Sequence, residues 1–236
     1  MQKKSSNLRA QDLARKTMSY LFCRIREGMT EREIVVDAED FMTRQGAEGF
    51  WYHNVGALVL VGERTVLSVS GRDYQPSDAK VSRIDLVTVD LSPKLHGSWG
   101  DLAKSFVIGD GKPLTLQESD SPQPIVKLFE GLFMEKRLHE ELERFAKPST
   151  TFRELHDHMN NYLSRAGYKN LDFRGNLGHT IETEIDKRRF IEEGCKLKLS
   201  KAGLFTFEPH IKREEGNYGF KMEEIYYFVG SKLKKL

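Results

Sequence analysis

The 236-residue chain carries 37 lysines and arginines against 35 acids, a balance that excludes a protein holding nucleic acid by bulk charge. Its length fits one large domain or two fused halves, with a sizeable core. Two cysteines exclude a disulfide framework, and no apolar run approaches the ~20 residues that a membrane-spanning helix needs. The polar start, MQKKSSNLRAQDLARK, lacks the apolar stretch of a signal peptide, so a cytoplasmic, reduced protein is expected.

Taken in chain order, the first element is a helix from about Asn7 to Arg26, with Leu8, Leu13, Met18, Leu21, Phe22 and Ile25 at helical spacing. Cys23 falls in this apolar run and is expected to be a buried thiol. After Gly28, Thr30 and Glu33 form a capping-box signature for a second helix that stops at Gly46. GALVLVG, TVLSVS, IDLVTVDL and the segment ending in SFVIG read as strands. SPKLHGSWG between the last two reads as a hairpin-like loop.

DGKPLTLQESDSPQP then links two halves, and a long amphipathic helix follows from about Pro124 to Phe145. Thr151 and Glu154 repeat the capping box before a helix that ends at Gly167. Aligning Thr30 with Thr151 also matches Arg32 with Arg153, Glu33 with Glu154, Arg44 with Arg165 and Gly46 with Gly167. This weak internal repeat has two readings, a chance likeness of two capped amphipathic helices or a duplication, and the shared arginines and common end point favour the duplication. HTIETEI, GLFTFEPHI and EEIYYFV read as the final strands, and the KLKKL tail as a frayed, solvated terminus.

Four acids and one histidine lie in short apolar contexts: Asp90 in TVDLS, Asp101 in WGDLAKSFVIG, His179 in LGHTIE, Glu208 in FTFEP and Glu223 in KMEE. Buried ionised carboxylates are paired or metal-bound, because an isolated one costs several kcal/mol. An oxygen-rich set with one imidazole suits a divalent ion such as Mn, Fe, Co or Zn.

In these segments the chain resembles the pita-bread metallopeptidases: methionine aminopeptidase, aminopeptidase P, prolidase and the creatinase relatives. That family has the ligand order Asp, Asp, His, Glu, Glu, with a G-D-x-x-[KR]-[ST]-F stretch, a G-H-G-I-G motif, F-T-x-E-P and a final E-[DE] pair. The resemblance implies an α+β pita-bread fold, two pseudo-symmetric halves with a curved antiparallel sheet covered by helices. It implies one catalytic domain over residues 1–236, with pseudo-repeats at about 7–115 and 120–236, closer in length to methionine aminopeptidase than to relatives with an N-terminal domain. It further implies two divalent metal ions (Mn, Fe, Co or Zn): Asp90 and Asp101 hold one, Asp101 and Glu223 bridge to the second, and His179 and Glu208 complete it. Glu208 would also serve proton transfers.

Two departures bear on substrate. A gapless pairing from Tyr52-His53 puts Val69 where methionine aminopeptidase has a substrate-facing histidine, and valine cannot donate a hydrogen bond. GHTIETEID replaces the glycine-rich histidine motif and puts Asp186 where a second histidine would lie. His53 and His210 are candidates to replace the lost histidines as catalytic groups. Trp51, with Phe50, Tyr52 and Trp99, is a candidate pocket aromatic. Glu182, Glu184 and Asp186 would share one strand face and could recognise a cationic group or be a solvated edge. Gly175 and Gly178 would let backbone approach the centre closely. His96 is expected to be exposed, and His139, His156 and His158 to be structural or solvated.

The expected function is therefore a dinuclear metal-dependent hydrolase of peptide or related C–N bonds, acting on a peptide or small amide substrate, and not a housekeeping methionine aminopeptidase. No nucleic acid or membrane partner is expected, and the chain would be a monomer or homodimer. The alternative is a pita-bread domain that has lost catalysis and binds peptides or proteins. Retention of all five ligand residues favours the enzyme.

Overall fold

Helix pairs and strands alternate twice along the computed structural model, which describes residues 2–115 and 122–236. The first half runs α1 (Gln2–Arg24), α2 (Glu31–Arg44), β1 (Gly49–Phe50), β2 (Ala57–Val61), β3 (Asp85–Leu91), β4 (Pro93–Leu95), β5 (Ser98–Trp99), β6 (Leu102–Gly109) and β7 (Lys112–Pro113). The second runs α3 (Gln123–Phe145), α4 (Phe152–Arg165), β8 (Tyr168–Asn170), β9 (Phe205–Phe207), β10 (His210–Arg213), β11 (Phe220–Lys221), β12 (Glu224–Val229) and β13 (Lys232–Lys235). Residues 116–121 of the interhalf segment lie outside the described residues.

Strands pair antiparallel in the orders β2-β3-β6-β7, β1-β4-β5, β11-β10-β8 and β13-β12-β9. Helices α1 and α2 pack Leu13, Met18, Leu21, Ile34 and Met42 against β2, β3 and β6. Helices α3 and α4 pack Leu138, Leu142, Phe152 and Met159 against Phe205, Phe207 and Tyr226. The halves meet where Lys104 of β6 bridges Met222 and the Glu223 amide donates to the Ala103 carbonyl at 3.0 Å.

Helices α2 and α4 begin with the same local geometry. Thr30 and Thr151 cap α2 and α4 with φ/ψ of −88/160° and −86/160°, and each forms the full capping box with its glutamate. Each threonine also forms an isolated bridge to a lysine, Lys80 or Lys198. Gly46 and Gly167 follow the two helices at φ of 97° and 74°, a region open to glycine at no steric cost.

Four local expectations are corrected. TVLSVS is no strand: residues Gly62–Val66 form a 3-10 turn and the chain then loops. The reason is Glu31, fully buried, whose carboxylate accepts from the Val61 and Ser77 amides at 3.0 and 2.8 Å and from Arg64 Nε at 2.8 Å. These bonds pin the loop to α2 instead of letting it extend. HTIETEI is no strand either: His179 and Thr180 make only isolated bridges, to Phe190 and Phe205, and Ile185–Lys187 is a 3-10 turn.

The KLKKL tail is not frayed. It pairs with β12 as β13, and Leu236 is buried, with its amide bonded to Ile225 and its carbonyl to Arg15. Cys23 is exposed, on the face of α1 away from the core, and so is Leu8. Among the described residues no helix is long and apolar enough to cross a membrane.

Candidate metal centre

His179 owes its position to its neighbours. Gly178 has φ of 143°, and a Cβ there would lie 2.2 Å from the Thr206 carbonyl, so only glycine fits. The His179 amide donates to Thr206 Oγ1 at 3.0 Å, and the Thr206 amide returns a bond to the His179 carbonyl at 2.7 Å. The Thr180 carbonyl lies 3.0 Å from His179 Nδ1. A carbonyl only accepts, so Nδ1 carries the proton and Nε2 presents its lone pair, the form in which a histidine binds a metal. Burial lowers the imidazole pKa to about 4, which keeps the ring neutral. Nε2 lies 3.5 Å from Asp101 Oδ2 and 3.6 Å from Glu208 Oε1.

Asp101 precedes β6 and is held from the far side by α1. Gln11 Nε2 donates to the Asp101 carbonyl and Gln11 Oε1 accepts from its amide, both at 2.8 Å. Glu223 arrives through the junction of the halves. Ligating atoms of Asp101, His179 and Glu223 all lie within 4.8 Å of one another. Asp101 Oδ2 and both carboxylate oxygens of Glu223 are buried without a hydrogen-bond partner. Burial raises the pKa of both acids well above the ordinary carboxylate range. Asp90 and Glu208 add to this for Asp101, and Asp101, Glu208 and Asp90 for Glu223. Orphaned buried oxygens facing a histidine lone pair fit a divalent cation, which would return the free energy lost by desolvating them.

Asp90 on β3 and Glu208 after β9 complete the five and are joined by Lys221, which the sequence reading missed. Lys221 Nζ lies 2.6 Å from Asp90 Oδ2 and 3.3 Å from Glu208 Oε2. Burial raises Asp90, and Lys221 works against that rise. Burial would also raise Glu208, but the Lys221, His179 and Arg188 charges outweigh it and its pKa falls. Burial opposes the ammonium, yet Asp90, Glu208 and Glu223 raise its pKa well above that of a free lysine. The available signal was strand alternation: Lys221 is two residues before Glu223, so their side chains share a face.

The centre lies in a cavity of about 590 Å³ lined by Asp90, Asp101, His179 and Glu208 and also by Trp51, His53, Val69, Asp186, Arg188 and His210. Trp51 is buried, stacks on Trp99 at 4.5 Å and donates Nε1–H to the Gly100 carbonyl, while its ring meets His179 edge-on at 5.6 Å. Phe50 instead packs on the α1/α2 core. His53 sits at φ of 54°, and its pKa is lowered by burial and then by Arg72 and Arg188. His210 is buried, with Nε2 2.7 Å from the Thr65 carbonyl, so Nε2 donates and Nδ1 is left as an acceptor. Burial lowers its pKa to about 4.

The supposed acidic face is corrected. Glu182, Glu184 and Asp186 do not alternate on a strand, Glu184 pairs with Lys187 at 2.6 Å, and of the three only Asp186 lines the cavity. Arg188, also missed, packs its guanidinium 5.2–5.4 Å from the Trp51, Tyr52 and Phe190 ring centres and donates to the Ile185 carbonyl. Of the other histidines, His96 is exposed in the β4–β5 turn, and His139 is buried between the Tyr226 hydroxyl and the Met222 carbonyl. His156 and His158 bond to Gly175 and Glu141 on the helix flank.

Known proteins share this architecture. An X-Pro aminopeptidase from Thermotoga maritima and a prolidase from Pyrococcus horikoshii each superpose with a TM-score of 0.80 and 22% identity. Each match covers 99% of this chain, with 60% and 61% of those chains. A Xaa-Pro dipeptidase of Pyrococcus horikoshii is 25% identical over 203 residues, 86% of this chain and 52% of that protein. The chain thus spans about half the length of that curated relative. The fold is the α+β pita-bread fold implied by the motif order. Residues 7–229 match the model of metallopeptidase family M24, a family that uses divalent metals, and the chain belongs to that family.

Proposed function

We propose that the chain is a dinuclear metal-dependent hydrolase of peptide or related C–N bonds. One observation carries this reading: the buried, unpaired oxygens of Asp101 and Glu223 converge on the Nε2 lone pair of His179. In this reading Asp90, Asp101, His179, Glu208 and Glu223 hold two divalent ions drawn from Mn, Fe, Co or Zn. Such ions supply an activated water and a polarised carbonyl.

The chain's own groups do the rest. Glu208, whose pKa falls, stays ionised and takes a proton from the attacking water before passing it to the leaving amine. His53 and Arg188 line the cavity, and in this reading they contact the substrate. His210, with Nδ1 as acceptor, serves to orient a substrate donor.

The substrate is a peptide or small amide, and relatives named Xaa-Pro dipeptidase and X-Pro aminopeptidase support a peptide. Val69 and Asp186 line the cavity where methionine aminopeptidase would present donors, which argues against that specificity. We further read the chain as one catalytic domain with two duplicated halves, a monomer or homodimer, and place it in the cytoplasm, where its two free cysteines would stay reduced. The test is to strip the protein with a chelator, reload it with each of the four metals and assay a panel of dipeptides and amides. Activity lost on stripping and restored by reloading supports the proposal. Hydrolysis unaffected by chelation, or none with any metal, overturns it.

A further inference from the structure

Two large apolar side chains that line the cavity stand in water. Leu67 is 38% exposed and Phe173 is 58% exposed, and both border the space that contains the candidate ligands. They come from different halves of the molecule. Leu67 follows the 3-10 turn Gly62–Val66, and Phe173 lies between β8 and His179. Their loops meet: the Phe173 amide donates to Ser68 Oγ at 3.1 Å, across 105 residues of sequence. Single exposed apolar residues are ordinary on any protein surface. Among the described residues, the other large exposed ones, Leu8, Val36, Ile84, Phe133 and Val229, do not line the cavity. Leu67 and Phe173 differ in being brought to one rim by a bond between the halves.

The backbone beneath both side chains is pinned. The Leu67 amide donates to the Arg64 carbonyl at 2.9 Å. The Thr65 carbonyl accepts from His210 Nε2 at 2.7 Å, and Thr65 Oγ1 accepts from the Gly219 amide at 2.9 Å. Further along the same loop the Tyr74 hydroxyl accepts from the Val59 amide at 2.8 Å and donates to its carbonyl at 3.0 Å. On the facing loop the Asp172 carboxylate accepts from the Arg174 and Asn176 amides at 2.9 and 3.0 Å and from Asn176 Nδ2 at 2.8 Å. The Arg174 guanidinium sits 5.3 Å over the Phe190 ring. The rim is thus formed before a ligand arrives, which keeps the ordering cost of binding to it small.

We propose that Leu67 and Phe173 form an apolar lip that receives an apolar side chain of a peptide substrate beyond the two residues flanking the scissile bond, so that the chain favours peptides of three or more residues over dipeptides. This rests on the hydrolase reading. A peptide whose first residues reach the candidate ligands passes the rim with the rest of its length. In an extended peptide successive side chains point to opposite sides at ~3.3 Å per residue, so one of two consecutive residues faces the lip. Covering about half of each lip side chain removes apolar surface from water on both partners and strengthens binding about tenfold. A dipeptide has no residue in that place and gains nothing from the lip.

The test measures binding apart from turnover. Peptides whose first peptide bond is reduced to a methylene-amine cannot be cleaved, and their affinities for the metal-loaded protein are read by titration calorimetry. Reduced Ala-Pro-Leu-Ala and Ala-Pro-Ala-Leu are compared with reduced Ala-Pro-Ala-Ala and with reduced Ala-Pro. One of the two leucine peptides should bind about tenfold more tightly than the alanine peptide. Phe173→Ser and Leu67→Ser should each cut that advantage severalfold, Phe173→Leu should keep it, and reduced Ala-Pro should bind all four proteins alike. Equal binding of the three tetrapeptides by the wild type would overturn the proposal. So would an advantage undiminished in both serine variants, or serine variants that weaken reduced Ala-Pro as much as the leucine peptide. The wild-type comparison decides alone should a variant fail to fold. The leucine advantage without hydrolysis of the unreduced peptides would support the lip and overturn the hydrolase reading. No binding of any of these peptides would overturn the lip as well.

Discussion

The Glu223 amide donates to the Ala103 carbonyl at 3.0 Å, and this bond across the two halves sets Glu223 beside Asp101. The site is consequently a property of the junction. Asp90 and Asp101 come from the first half, His179, Glu208 and Glu223 from the second. A displacement of β6 against β11 would separate acids that have no other partner.

Gln11 should prove essential to that geometry although it touches no ligand atom. Gln11→Ala would leave the buried amide and carbonyl of Asp101 unpaired, at a cost of about 2–4 kcal/mol for the two groups. Denaturant unfolding should show this loss, and metal affinity should fall by about 10–100-fold, as for other supports of metal ligands. A variant with unchanged unfolding midpoint and unchanged affinity would show that α1 does not position Asp101.

Glu135 on α3 offers a test of buried charge away from the ligands. Both its carboxylate oxygens are buried without a partner, and burial raises its pKa well above the ordinary value, opposed by Lys221. A raised acid pKa means that the folded state keeps a proton that the unfolded chain has released. Stability from this group is present below the unfolded pKa, near 4.5, and is lost as pH rises from there toward the folded pKa. Glu135→Gln should therefore melt higher than wild type at pH 8, with the gap closing toward pH 4. A gap that is constant with pH, or a lower melting point at pH 8, would contradict this.

Activity on methionine-initiated peptides should be weak. Val69 carries no donor, and loss of one such donor costs ~10²–10³ in rate. Side-by-side kcat/KM values for methionyl peptides and for an X-Pro dipeptide should differ by about that factor in favour of the latter. Equal values would show that His53 or His210 restores the missing contact.

Much of this architecture was legible in the sequence where the cause is local. The capping boxes at Thr30 and Thr151 fix their helices through bonds spanning three residues, so four letters suffice to read them. The strand bearing Asp90 is rich in β-branched residues, and the mostly apolar strand that follows Asp101 is set off by the glycines of the preceding loop. The misreadings fall where distant groups decide. TVLSVS alternates like a strand, but Glu31 ties the segment around it into a turn and loop. ETEI alternates too, yet no neighbouring strand pairs with it beyond Thr180. KLKKL looks like a solvated tail until β12 and Arg15 receive it. Gln11 and Asp101 are 90 residues apart, and Lys221 and Asp90 are 131 apart. Only Lys221 left a trace, as the same-face neighbour of Glu223.

The most direct measurement is anomalous diffraction from crystals grown with Co(II) or Mn(II), recorded at the metal's absorption edge. A peak is expected about 2.0–2.3 Å from His179 Nε2 and from oxygens of Asp101, Glu208 and Glu223, and the same peak should be missing from Asp101→Ala crystals. Anomalous density remote from these residues, or an undiminished peak in Asp101→Ala, would contradict the metal centre.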